Sequence, residues 1–192
     1  MKLTQTCIPD VVVIEPAVFE DDRGWFIESF NERQLHNEMK ALGLSAPPAF
    51  VQDNHSRSRQ GTLRGLHYQM TPYAQGKLVR VVQGSVFDVA VDLRRESDTF
   101  GQWVGIALSG ENKKMVWIPE GFAHGFLSLE DDTHLLYKTT NYYSKDSERS
   151  IVWNDPDLAI SWPPVQSKAL AISNKDQEAM RMKDVVRLGW LF

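Results

Sequence analysis

Residues 85–93, SVFDVAVDL, alternate strictly: Val86, Asp88, Ala90 and Asp92 fall on one side of an extended chain, Phe87, Val89, Val91 and Leu93 on the other. A period of two is that of a β-strand with one well-buried face. KLVRVVQG, QWVGIALSG, KKMVWIPEG, HGFLSL and THLLYKTTNYY are further runs of strand character, separated at short intervals by Gly, Pro, Asn, Asp and Ser. Many short strands closely spaced predict an all-β sandwich or barrel.

One helix precedes them. FNERQLHNEMKALGL puts Leu35, Met39 and Leu42 on one helical stripe, with Asn31 suited to cap the start and Gly43 the end. SAPP, from Ser45, is a connector too short to link domains, and the tail from SKALAIS onward mixes loop and helix character. A chain of 192 residues suits one domain, 1–192. The net charge of −4 argues against a nucleic-acid footprint, though a local basic pocket for a small anion stays open. The lone cysteine, Cys7, allows no intrachain disulfide and favours a reducing compartment. MKLTQTCIPD lacks the apolar core of a secretion signal, and no apolar run reaches membrane-span length. The expectation is a cytoplasmic protein with no membrane contact.

Three polar clusters carry candidate chemistry. VQDNHSRSRQGTLRGLHYQ gathers His55, Arg57, Arg59, Arg64 and His67 in strand-like sequence. Either that face lines a polar cavity or this is an edge strand with solvated arginines. In IPEGFAHGF, His124 sits among aromatics, where a satisfied core histidine is the better reading of the residues alone. In LLYKTTNYYSKDSERS, Tyr137, Tyr142 and Tyr143 could stack on a planar ligand, but packing is the simpler account. A metal site is disfavoured: Gln69 follows His67 where a second ligand would help, and the ammonium of Lys77 repels a divalent cation. Cys7 has no neighbouring base, and no glycine-rich phosphate loop is present. Proton transfer by histidine and tyrosine, with cations holding an anion, remains.

These residues resemble a known family. DDRGWFIESF, VQDNHSRSRQGTLRGLHYQ, QGKLVRVVQGSVFDVAVDLR, WIPEGFAHGF, LLYKTTNYYSKDSERSI, WNDPDLAISWP and SNKD are similar, in order, to motifs of the dTDP-4-dehydrorhamnose 3,5-epimerases, from about Asp21 to Asp176. The resemblance implies a cupin-type jelly roll (a double-stranded β-helix), no cofactor, no metal, and a homodimer that exchanges N-terminal strands. It implies C3 and C5 epimerisation of a dTDP-ketosugar on the way to dTDP-L-rhamnose.

The 4-keto group of such a sugar acidifies the hydrogens on C3 and C5. Inversion then needs a base, an acid on the opposite face and a stabiliser for the enolate oxygen. By resemblance His67 is the base, with a reference pKa of about 6.5. Asp176 orients and stabilises its imidazole, Tyr137 is the acid, and Lys77 is the cation near the enolate. Also by resemblance, Gln52, Asn54, Arg64, His124, Glu148 and Lys175 contact the substrate, Tyr143 stacks on the thymine, and Arg23 and Glu28 reach in from the partner subunit. The tail after Asp176 matches no motif of the family. Three other readings stay in view: an epimerase of C3 or C5 alone, a non-catalytic sugar-nucleotide-binding cupin, which should have lost the base or the acid, and a metal-dependent cupin oxygenase.

Overall fold

The computed structural model describes residues 1–166 and 169–192. In chain order the elements are β1 (Lys2–Gln5), β2 (Val12–Glu15), β3 (Val18–Asp21), β4 (Gly24–Ile27), α1 (Glu32–Ala41), β5 (Gln52–Ser58), β6 (Thr62–Gln69), β7 (Lys77–Gln83), β8 (Ser85–Asp92), β9 (Trp103–Ser109), β10 (Met115–Ile118), β11 (Phe122–Ser128), β12 (Thr133–Thr139), β13 (Glu148–Ser150), β14 (Ala171–Ile172), α2 (Asn174–Gln177) and α3 (Met182–Leu188). Two sheets face one another, one ordered β1-β2-β10-β7-β12-β5, the other β13-β6-β11-β8-β9 with β14 parallel to β6. This is the expected cupin-type jelly roll. Each strand run named from the sequence forms a strand. The core between the sheets holds Val79, Val81, Val116 and Leu135 from the first, and Val86, Ala90, Leu108 and Phe126 from the second.

The alternation in β8 predicts one buried face, but both are buried. Val86 and Ala90 point into the inter-sheet core, with Asp88 on their face. Val89, Val91 and Leu93 pack outward beneath a layer from the C-terminal segment: Ile151, Leu158, Met182, Val185 and Leu191, edged by Trp162, Trp190 and Phe192. The tail is therefore structural. It covers the outer face of the second sheet and is tied down where Tyr68 Oη donates to Trp190 O at 2.9 Å.

The first sheet is covered by α1. Asn31 Oδ1 accepts from Gln34 N at 3.0 Å, the expected N-cap. At the other end Gly43, at φ +74°, donates to Lys40 O while Leu44 N reaches Met39 O, a Schellman closure that needs a left-handed residue. Leu35 and Met39 are buried against Val12, Ile14, Leu78, Met115 and Trp117. Each of those two side chains contributes about 2 kcal/mol of burial.

The hairpin β3–β4 pairs only with itself and is hydrogen-bonded to neither sheet, and Phe19, Trp25 and Phe26 are more than half exposed. β1 and β2 belong to their own chain's first sheet.

Candidate active site

The polar residues of β6 and β11 share one inner face. His67 and His124 are direct cross-strand partners, and the register slips between His124 and Phe126. Two glycines make this possible. A Cβ on Gly65, whose φ is +137°, would lie 2.5 Å from Gly125 Cα, so the strands touch backbone to backbone.

Between the sheets opens a cavity of about 390 Å³. Its walls carry Arg64, His67, Gln69, Lys77, His124, Tyr137, Tyr143, Glu148, Lys175 and Asp176. His67 belongs to the second sheet and Tyr137 to the first, so base and acid candidates stand on opposite walls. His67 Nε2 lies 2.6 Å from Asp176 Oδ1, and Gly65 N–H donates to Asp176 Oδ2 at 3.4 Å. Asp176 is nearly buried on the first turn of α2, where Ser173 Oγ accepts from its N–H at 3.2 Å. Burial pushes its carboxyl up, but the bonds from His67, Gly65 and Ser173 outweigh this and hold it below the usual value.

Lys77 crosses from β7 to the other sheet and donates to His67 O at 3.2 Å. Burial pushes its ammonium down to about 8, against the opposing fields of Asp88 and Glu148. Tyr137 is driven up, chiefly by desolvation, so its phenol keeps its proton at neutral pH. His124 is buried with Nε2 2.9 Å from Asp88 Oδ2, and burial lowers its affinity for a second proton. The core-histidine and cavity readings of His124 are thus both realised. Glu148 joins two elements, bonding Lys175 Nζ at 2.6 Å and accepting from Tyr143 Oη at 3.1 Å.

The first polar cluster divides. Arg64 and His67 reach the cavity, while His55, Arg57 and Arg59 are solvated on or just beyond β5, an edge strand. Gln52 and Asn54 do not line the cavity. Gln52 Oε1 accepts from Tyr143 N at 3.1 Å, its amide nitrogen bonds Asn54, and Asn54 borders an adjoining groove. Arg23 and Glu28 are not among the cavity's lining residues either. Arg23 pairs with Asp21 in the hairpin and Glu28 accepts from Asn31. The packing account of the tyrosines fails at Tyr142 and Tyr143, which are 61% and 55% exposed. Sequence reasoning missed Asp88 and Ser173. An aspartate at an inward position of an apolar strand is the signal for the first, and Ser three residues before Asp, a helix-capping spacing, for the second. Among the described residues no group of three His, Cys, Asp or Glu side chains is placed to hold a metal ion.

The model of the dTDP-4-dehydrorhamnose 3,5-epimerase family matches residues 5–184. The chain belongs to that family. The dTDP-4-dehydrorhamnose 3,5-epimerase of Shigella flexneri is 55% identical over 184 residues, 96% of this chain and 97% of that protein. The solved dTDP-6-deoxy-D-glucose-3,5-epimerase of Legionella pneumophila, in complex with dTDP-4-keto-L-rhamnose, is 47% identical with a TM-score of 0.89, over 99% of this chain and 96% of that one. A 3′-monoepimerase of Streptomyces bikiniensis, in complex with dTDP-quinovose, is 34% identical with a TM-score of 0.87, over 100% and 92%. The fold of the 3,5-epimerase family thus also carries single-centre epimerisation, and backbone likeness alone does not separate the two. No helix of the described residues is long and apolar enough to cross a membrane.

Proposed function

We propose that this protein epimerises dTDP-4-dehydro-6-deoxy-D-glucose at C3 and C5 to give dTDP-4-dehydro-L-rhamnose. The observation that carries the reading is the placement of His67, backed by Asp176, across the cavity from Tyr137, with Lys77 reaching between the walls. With its Nε2 proton donated to Asp176, neutral His67 has Nδ1 as its basic nitrogen. Nδ1 takes the C–H proton adjacent to the 4-keto group, and the electron pair moves onto the carbonyl oxygen. Lys77, with one N–H on His67 O, has two more to offer the enolate. Tyr137 returns a proton from the opposite face, and His67 and Tyr137 exchange protons with solvent before the next centre. Asp176 stabilises the imidazolium formed midway.

We read Tyr143, Glu148 and Lys175 at the cavity edge, with Arg64 and His124, as substrate contacts, and Gln52 and Asn54 as their support. Identity of 55% to a 3,5-epimerase against 34% to a 3′-monoepimerase favours inversion at both centres. The partner we propose is a second copy of the chain, docked by hairpin exchange. Its support is the β3–β4 hairpin, hydrogen-bonded to neither sheet, with exposed Phe19, Trp25 and Phe26, and the absence of Arg23 and Glu28 from the lining of their own cavity. The lone Cys7 supports a cytoplasmic location. Incubation with the keto-sugar nucleotide in deuterated water tests the reaction. NMR should show deuterium and inversion at both C3 and C5. Label at one carbon alone would make it a monoepimerase, and label at neither would sink the reading.

A further inference from the structure

Two of the carboxylates set around the cavity are engaged. Asp176 gives its oxygens to His67 and Gly65 N–H, and Glu148 gives its oxygens to Lys175 and Tyr143. Asp88 on β8 differs. Its side chain is 1% exposed, Oδ2 accepts from His124, and Oδ1 is buried with no hydrogen-bond partner among the described residues. Its neighbours on the same face, Val86 and Ala90, are core residues. An ionised oxygen left so is expensive unless a nearby cation offsets it. Lys77 is a buried cation lining the cavity beside His124, the partner of Asp88, and makes no ion pair within 4 Å among the described residues. Asp88 Oδ1 has no partner in contact, Lys77 has no carboxylate in contact, and each sits in the field of the other.

We propose that Asp88 is a positioning residue for the epimerisation: one oxygen of its buried carboxylate fixes His124, and its charge is the counter-ion that keeps Lys77 an ammonium beside the reacting sugar. The inference rests on the epimerase reading above. The cavity that Lys77 enters is lined by Arg64 and His67 from β6, His124 from β11, Tyr137 from β12, Tyr143 beyond it, Glu148 from β13, and Lys175 and Asp176 from α2. Asp88 comes ahead of Glu148 among the fields that retain the Lys77 proton against burial, and Glu148 is shared with Lys175. Without Asp88 the lysine would enter the neutral range uncharged, unable to hold an enolate.

Asp88→Asn keeps the shape and an acceptor for His124 but removes the charge. The Cε resonance of Lys77, identified by its absence in Lys77→Arg, is titrated by NMR in wild type and Asp88→Asn. Its midpoint should fall by about one to two pH units in the variant. The alkaline limb of kcat/KM should move with it, so that the deficit grows about tenfold or more between neutral and mildly alkaline pH. A merely structural Asp88 would reduce activity equally at all pH and leave the Lys77 titration unmoved, and that result overturns the proposal. A shifted titration in a protein that epimerises nothing would sustain the counter-ion and discard the epimerase reading. Should Asp88→Asn prove insoluble, the wild-type titration decides: a lysine neutral at pH 7 overturns the proposal, and an ammonium sustains it.

Discussion

Asp176→Asn should disable the base while leaving the cavity intact, for a reason visible in the two oxygens of Asp176. One faces His67 Nε2 at 2.6 Å and the other faces Gly65 N–H at 3.4 Å. An asparagine has one oxygen to give. If its oxygen stays on Gly65, its NH₂ points at His67 Nε2, which must then accept. The imidazole proton moves to Nδ1, and the basic nitrogen is capped. If the amide flips, two donors confront each other at Gly65 in a buried place. The Gly65 bond is long, so the flip costs about 1 kcal/mol and the wrong tautomer is favoured roughly fivefold. The variant also loses the charged acceptor that steadies the imidazolium, worth about 1.5–3 kcal/mol, or about 10- to 150-fold. Together these lower deuterium wash-in at C3 and C5 by about 50- to 750-fold. Binding of dTDP, measured by calorimetry, should stay within about twofold, because Tyr143 and Glu148 are untouched. Exchange above about a third of wild type would show that His67 does not depend on Asp176 for its tautomer.

Tyr137→Phe removes the proton on the far wall but leaves the enolate step to His67 and Lys77, so deuterium exchange should exceed net inversion, which falls by about 10²–10⁴; equal losses of both, followed by NMR, would refute its role as the acid. Asp92→Ala strips a buried carboxylate from Arg94, Ser97 and Thr99, and should cost about 3–5 kcal/mol, roughly 10 °C in Tm by calorimetry. Burial raises the Asp92 carboxyl but those bonds outweigh it and hold it below the ordinary 3.8, so its stabilisation is present above that pH and lost as pH falls through the lower folded value; wild type should lose more Tm on acidification than the variant. Gly65→Ala drives a methyl into Gly125 Cα at a left-handed φ, so soluble yield should collapse and any soluble fraction should show no exchange. Phe19→Asp with Phe26→Asp should yield monomers in sedimentation runs with at least tenfold lower turnover, since Arg23 and Glu28 would no longer reach a neighbouring cavity; an active monomer would remove the hairpin from the mechanism.

The strand alternation and the capped helix were legible because their causes are local. Val86 to Leu93 carry a period of two wherever they are placed, and Asn31 and Gly43 close α1 within one turn of themselves. What the alternation does not say is what lies over each face. Asp88 and Asp92 look like a solvent face until His124, 36 residues on, and Arg94, Ser97 and Thr99 are in place around them. The dyad has the same difficulty at greater range, since His67 and Asp176 are 109 residues apart and meet only because β14 lies beside β6. Resemblance to a family supplied that pairing. The residues alone left open whether the face that carries His67 lines a polar cavity or belongs to a solvated edge strand. The tail was illegible because seven residues of α3 bury only Met182 and Val185, too few for a pattern, though both join the apolar cover of the second sheet.

That order of assembly has a consequence for how the protein comes into being. Asp176 and the apolar cover over β6, β8 and β11 are encoded after every strand they serve. As the chain leaves the ribosome, the second sheet can form with Leu66, Val89, Val91 and Ala123 bare to solvent and its histidine without a carboxylate. Until Ile151 to Leu191 have been made, that face lacks its apolar cover and His67 its carboxylate partner. A chain cut before Ser173 would lack the carboxylate of the dyad and the Met182, Val185 and Leu191 part of that cover.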